Sequence, residues 1–294
     1  MALALASGAC AARFDVSGER AHARVVHQIE AGPRIPGTPG HAAIEAWLVS
    51  ELRRLGGRVE VQASVDTSLG HPLEIHNVVA HYGPGSGRRV ALLAHWDTRP
   101  WSDQDPDSAH RSDPVPGAND GGSGVAVLLE VAELMSRRAP RVAVDLVLVD
   151  GEDQGRASQA EEFCRGSRAY AARVRSDPAA RPGAAFVFDM IGDRDLDIYR
   201  EAQSVEHAAN LVALVLEGAR ATSGRHFHAV TRHSVYDDHV PLLEAGIPAV
   251  DVIDFDYAAW HTHEDLPDRV SGASLAEVAR VAAWLVYSSP LAKP

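Results

Sequence analysis

The chain has 294 residues, 46% of them hydrophobic, and 40 acidic against 28 basic side chains give a net charge of −12. That balance argues against a nucleic-acid partner, which needs a basic face. Two cysteines cannot make a disulfide framework, and no repeat, linker or break in composition divides the sequence, so residues 14–294 are expected to fold as one domain. Residues 1–13 begin MALALASGACAA, a short apolar run ending in small residues. Two readings stay open there: the remnant of an export or lipoprotein signal, acylated at Cys10, or an unstructured terminus with an incidental cysteine. The first would make the chain secreted, periplasmic or lipid-anchored, with that lipid as its tie to a membrane, because no later stretch is long and apolar enough to span one.

Apolar residues recur at helical spacing over 14–31 (Val25, Val26, Ile29). PRIPGTPGH (33–41) is a loop fixed by its prolines and glycines. It leads into a helix over 41–55 with Ile44, Trp47, Leu48, Leu52 and Leu55 on one face and a stop at Gly56 and Gly57. His22, His27 and His41 lie in polar, helix-like contexts and are expected at the surface. RVEVQASVD (58–66) and EIHNVVAHYG (74–83) alternate like strands, and a turn over 83–89 leads to a central strand, 90–95. Residues 99–116 form a polar loop too long for a mere connector, expected to cover part of a site or to tether Asp97. A helix over 124–138 follows, then VAVDLVLVD (142–150), a continuous apolar run of the kind buried on both faces of a sheet. After a non-periodic loop come a helix over 167–175, a second buried strand at 186–192, a helix over 205–220 and a His-rich segment, 225–233. A short helix starting at 240–243, a last core strand at 247–255 and a helix over 273–288 complete the chain. The alternation predicts an α/β fold: a single-domain three-layer sandwich with a central twisted, mostly parallel sheet flanked by helices.

Four of the apolar strands end in acidic or imidazole groups: His95 and Asp97, Glu152 and Asp153, Asp189, and His261 after the last strand. The turn GANDGGSGV (117–125) sets Asp120 among small residues just before a helix. Unpaired charges at buried strand ends cost roughly several kcal/mol each, so carboxylates meeting imidazoles are expected to share a cation. His and carboxylate donors with one open position suit catalytic Zn²⁺. The alternative is that each acid separately caps a helix or pairs with a base.

HWD (95–97), GANDGGSG (117–124), DGED (150–153), FDMIGD (188–193), DDHVPLLEAGIP (237–248) and WHT (260–262) resemble the zinc aminopeptidase and glutaminyl cyclase superfamily, over about Gly32 to Leu285. The resemblance implies that Asp120, Asp153 and His261 hold a zinc ion and that Glu152 is the general acid/base. Many relatives carry Glu where this chain has Asp153, so the turn must sit closer here. For the aminopeptidases, the resemblance implies a second zinc on His95 and Asp189 with Asp120 bridging, Asp97 orienting His95 or its neighbour, and hydrolysis of peptide N-terminal residues. For the cyclases it implies one zinc and the closure of N-terminal glutamine to pyroglutamate with loss of ammonia. Glu152 would then share a proton with Asp189 and Asp237, with Trp260 and Tyr257 flanking a small pocket. Two features favour the cyclases: DDHVPLL (237–243), and Trp260 directly before His261. For Asp237 a helix cap is the plain alternative, and for Trp260 ordinary packing. The form DGEDQG is similar to bacterial cyclases, whereas animal cyclases carry Trp where this chain has Ser158. Either chemistry makes peptide or protein N-termini the substrate.

Overall fold

The computed structural model describes residues 14–68, 72–156 and 159–293; Cys10, the leader reading and Ser158 lie outside them. Among the described residues seven helices alternate with eight strands. The helices are α1 (Gly18–Glu30), α2 (Pro39–Arg54), α3 (Gly122–Arg137), α4 (Arg165–Ser176), α5 (Ala202–Thr222), α6 (His239–Glu244) and α7 (Gly272–Tyr287). The strands are β1 (Arg58–Asp66), β2 (Leu73–Tyr82), β3 (Arg89–His95), β4 (Ala143–Val149), β5 (Ala184–Asp189), β6 (Ile198–Arg200), β7 (Phe227–Thr231) and β8 (Ala249–Ile253). Six strands form one sheet in the order β1-β2-β4-β3-β5-β8. Its four central and far-edge strands, β4, β3, β5 and β8, run parallel, and β1 and β2 are added antiparallel at the other edge.

The apolar runs are buried on both faces because each feeds two cores. In β3, Val90, Leu92 and Ala94 join the core that packs against α1, α3, α5 and α7. Ala91 and Leu93 join the opposite core, with Tyr170, Ala171 and Val174 of α4 and Leu242 of α6. Each fully buried Val or Leu contributes roughly 1.5–3 kcal/mol, so a register slip that turned either face to water would be strongly opposed.

Strand order places the site. The chain leaves β3, returns through α3 to β4 on one side, then crosses through α4 to β5 on the other. The carboxyl ends of β4, β3 and β5 therefore surround the point where winding reverses, the crevice in which such sheets hold ligands. The start of α3 is drawn tightly into it. A Cβ on Gly124 would lie 2.1 Å from the Phe188 carbonyl oxygen of β5, so only glycine lets the helix approach.

Three local expectations change. The His-rich segment contains β7, which pairs with the three-residue β6 in a small second sheet. The strand expected over 186–192 stops at Asp189, because Met190 turns to φ 49°. His41, expected at the surface, is buried in the first turn of α2. Its ring stacks on Trp96 at 4.2 Å and its Nε2 meets both Asp150 oxygens at 3.0 Å. A polar context in sequence did not reveal that α2 presents this turn to the end of β4.

Candidate active site

Loops past the strand ends carry the site, and they are tied to one another. Asp97, two residues beyond β3, accepts the backbone N–H groups of Glu152 and Asp153, each at 3.1 Å, and the side-chain amide of Gln154 at 2.9 Å. Its Oδ1 stands 3.6 Å from His95 Nδ1, so of its neighbours it holds the 150–154 turn by hydrogen bonds and the His95 ring by a longer contact. Burial opposes ionisation of Asp97, but His95, Gln154 and the Asp153 N–H outweigh it and keep the carboxyl below the usual range. On the opposite wall Asp265 accepts the N–H groups of Asn119 and Asp120 at 2.9 and 3.1 Å, and the Tyr257 hydroxyl donates to it at 2.6 Å. Next to Asp120, Gly121 has φ 79°, and a Cβ there would sit 2.9 Å from the His95 ring. The turn therefore needs glycine at that place.

Within this frame Asp120 is flanked on both sides. His95 Nε2 lies 3.0 Å from Asp120 Oδ1 and 3.2 Å from Asp189 Oδ1. His261 Nε2 lies 3.6 Å from Asp120 Oδ2 and 3.4 Å from Asp153 Oδ1. Both trios, His95–Asp120–Asp189 and Asp120–Asp153–His261, bring one donor atom per residue within 4.8 Å of the others. Asp120 Oδ2 and Asp153 Oδ2 are buried without a hydrogen-bond partner, a condition native interiors rarely leave uncompensated. Tetrahedral zinc with ligands at about 2.0–2.1 Å spaces its donor atoms roughly 3.3–3.4 Å apart, so the second trio has both the spacing and the missing partner that a cation would supply. Its electrostatics agree. Burial lowers the affinity of His261 for a proton, but Asp153, Asp103 and Asp120 more than reverse that and push it up to about 9. His261 also adopts φ 54°, a conformation uncommon outside glycine that persists only when its surroundings fix it.

A cavity of about 270 Å³ opens over these groups, lined by Glu152, Asp189, Asp237, Tyr236, Phe255 and Trp260 among others. Glu152 accepts from the Cys164 thiol at 3.5 Å through Oε1, its Oε2 stands 4.0 Å from His95 Nδ1, and Asp237 belongs to the same cluster. Burial first, then the charges of Asp153, Asp238 and Asp237, raise the Glu152 carboxyl well above its ordinary range despite the opposing pull of His95. Burial likewise lifts Asp189 to about 7, tempered by His95 and reinforced by Asp237 and Asp120. Burial and the nearby acids also push the Cys164 thiol up, which leaves it a poor nucleophile.

Asp120, Asp153, His261, Glu152, His95, Asp189, Asp237 and Trp260 thus come together. Asp237 shares the cavity with Glu152 and Asp189 and acts on both through its charge, without a direct hydrogen bond to either. It is not the cap of α6; that position is Asp238, which makes no side-chain cap bond. Tyr257 is the residue placed wrongly. It lies behind the pocket, outside its lining, with its hydroxyl committed to Asp265. Trp260 lines the cavity, its ring stacked on His261 at 4.0 Å. Behind the cavity is a buried group that sequence reasoning missed. His239 Nε2 is 3.2 Å from Glu201 and its Nδ1 is 3.7 Å from Asp251, with Asp238 also buried nearby. The one available signal was Asp251, an acid in the middle of an apolar strand.

The model of peptidase family M28 matches residues 77–286. A structure of Porphyromonas gingivalis glutaminyl cyclase superposes with a TM-score of 0.86 at 33% identity, covering 91% of this chain and 96% of that one. A Zn-dependent exopeptidase from Parabacteroides distasonis superposes with a TM-score of 0.89 at 31% identity, covering 95% and 100%. The glutaminyl-peptide cyclotransferase-like protein of Bos taurus is 26% identical over 281 residues, 85% of this chain and 70% of that one. Strand order, the converging acids and a match over most of the length agree: the chain belongs to peptidase family M28.

Proposed function

We propose that this chain is a zinc-dependent glutaminyl cyclase, with Asp120, Asp153 and His261 holding one zinc ion. The observation that carries the reading is the contrast between the two trios. Asp189 is closed onto His95 by a 3.2 Å hydrogen bond, while Asp120 and Asp153 each keep a buried oxygen without a partner. When bound, zinc would supply a Lewis acid that polarises the side-chain amide of an N-terminal glutamine. Trp260 and Phe255 line the small cavity and would orient that side chain while limiting water beside it. Glu152 would take a proton from the α-amine as its nitrogen bonds to the side-chain carbonyl carbon. It would return the proton to the amide nitrogen as that carbon–nitrogen bond breaks and ammonia leaves. Atoms balance without water: one C–N bond forms, one breaks, and pyroglutamate remains. Asp237 would help hold the Glu152 carboxyl well above its ordinary range, since like charges in one cavity disfavour joint ionisation, and Asp189 lines the same cavity.

A second reading, a di-zinc aminopeptidase, has one specific observation in its favour: the donor atoms of His95, Asp120 and Asp189 also lie within 4.8 Å of one another. The two readings separate on substrates. Incubation with a glutaminyl peptide should release ammonia and give a pyroglutamyl product, with no arylamine from a leucyl arylamide. Arylamine release without ammonia would overturn the cyclase reading in favour of the second.

A further inference from the structure

Arg99 is a fully buried arginine in the loop after β3. Its Nη1 donates to Asp153 Oδ1 at 2.8 Å and to the Gly155 carbonyl at 3.0 Å. Its Nε and Nη2 donate to the two oxygens of Asp103 at 2.8 and 2.7 Å. The guanidinium carbon stands 5.4 Å from the Trp101 ring centre and 5.3 Å from that of Phe163, so aromatic rings fix its orientation. Asp103 in turn lies 3.5 Å from His261 Nδ1, the ring nitrogen opposite the one that faces Asp120 and Asp153. The next residue, Gln104, donates its N–H to the His261 carbonyl at 3.2 Å. One planar cation therefore touches one candidate zinc donor directly and a second through a carboxylate. The segments it joins are those that carry the two donors.

We propose that Arg99 and Asp103 are positioning residues that set the zinc affinity of this chain, Arg99 by fixing the Asp153 carboxylate and Asp103 by bracing the His261 imidazole. The chemistry is that of partners behind a metal's ligands, which orient carboxylates and imidazoles and govern affinity without touching the ion. A lysine would not replace Arg99, because a single ammonium cannot present the planar fork that spans Asp103 and Asp153 together. The surrounding rings and the unusual backbone of His261 give the same sense: the donors are held in place by packed neighbours in the cavity wall, which Arg99 and Phe163 help to line.

The inference rests on the Asp120–Asp153–His261 trio and is independent of which reaction that trio serves. The test measures zinc dissociation constants by competition with a chromogenic chelator, on the full zinc-loaded chain and on Arg99→Lys, Asp103→Asn and Asp120→Ala. Each of the first two should weaken zinc binding about 10- to 100-fold, while for Asp103→Asn, whose residue lies outside the cavity lining, KM at saturating zinc stays within about twofold of the parent and kcat recovers. Unchanged zinc affinity in both, alongside loss of zinc in Asp120→Ala, would overturn the positioning role and leave the trio standing. Zinc retained at full affinity in Asp120→Ala would remove the trio itself and this proposal with it. Asp103→Asn is nearly isosteric and partly solvent-facing, so it decides the matter should Arg99→Lys fail to fold.

Discussion

Asp120 has an imidazole on each side, and the two sides differ by a few tenths of an ångström. On the Oδ1 side His95 stands at 3.0 Å and continues to Asp189 at 3.2 Å, which is hydrogen-bond spacing. On the Oδ2 side His261 stands at 3.6 Å from Asp120 Oδ2 and at 3.4 Å from Asp153 Oδ1, which already accepts from Arg99, and Asp120 Oδ2 and Asp153 Oδ2 are left buried without a partner. The residue types are the same on both sides. What separates them is the backbone: His95 and Asp189 sit at the ends of neighbouring strands and are drawn together by the sheet, whereas His261 comes from an irregular loop in a strained conformation and Asp153 from a turn hung on Asp97. On one side Asp189 is hydrogen-bonded to His95, and the other side keeps two buried carboxylate oxygens without a partner, as the proposed zinc site requires.

The largest effects should break this comparison outright. His261→Ala should lose its zinc and bring turnover below detection, while His95→Ala should keep about one zinc per chain; metal analysis after dialysis reads both. Loss of zinc from His95→Ala and its retention in His261→Ala would reverse the assignment of the two sides. Next in size, Glu152→Gln should retain zinc and the melting temperature while kcat falls by about 10²–10⁴-fold, the usual contribution of a general acid/base. Full activity in that variant would remove Glu152 from proton transfer.

Asp237→Asn sharpens the contrast at smaller cost. It removes a charge that helps hold Glu152 protonated, so the rise of rate with pH should begin at lower pH, with zinc content unchanged. The sign follows from the charge: a like-charged neighbour raises the Glu152 pKa, and removing it lets that pKa fall. The smallest effect belongs to Tyr257→Phe, which deletes the bond to Asp265 behind the Asp120 turn. It should cost about 1 kcal/mol in urea unfolding and leave KM unchanged, since the ring is outside the pocket.

Much of this could be read from the sequence, for a physical reason. His95, Asp120, Glu152, Asp153 and Asp189 stand out because each follows or interrupts an apolar run whose burial makes a charge expensive, and buried strands announce their ends. Trp260 and Asp237 were placed through family likeness, and their surroundings could not have been built from spacing alone. Arg99 gave no signal, because an arginine in a polar loop is ordinarily solvent-facing and only the packed loop turns it inward. His41 and Tyr257 show the same limit: which way one turn of helix or one loop residue faces depends on tertiary packing, not on local polarity. The small β6–β7 sheet escaped notice because a three-residue strand carries no periodicity.

The most direct test of the central claim is a zinc count on the intact chain at equilibrium with excess zinc. One ion per chain, unchanged in His95→Ala, is the expected result. Two ions per chain, falling to one in His95→Ala, would contradict the account, because the side closed by His95 and Asp189 would then be a second metal position.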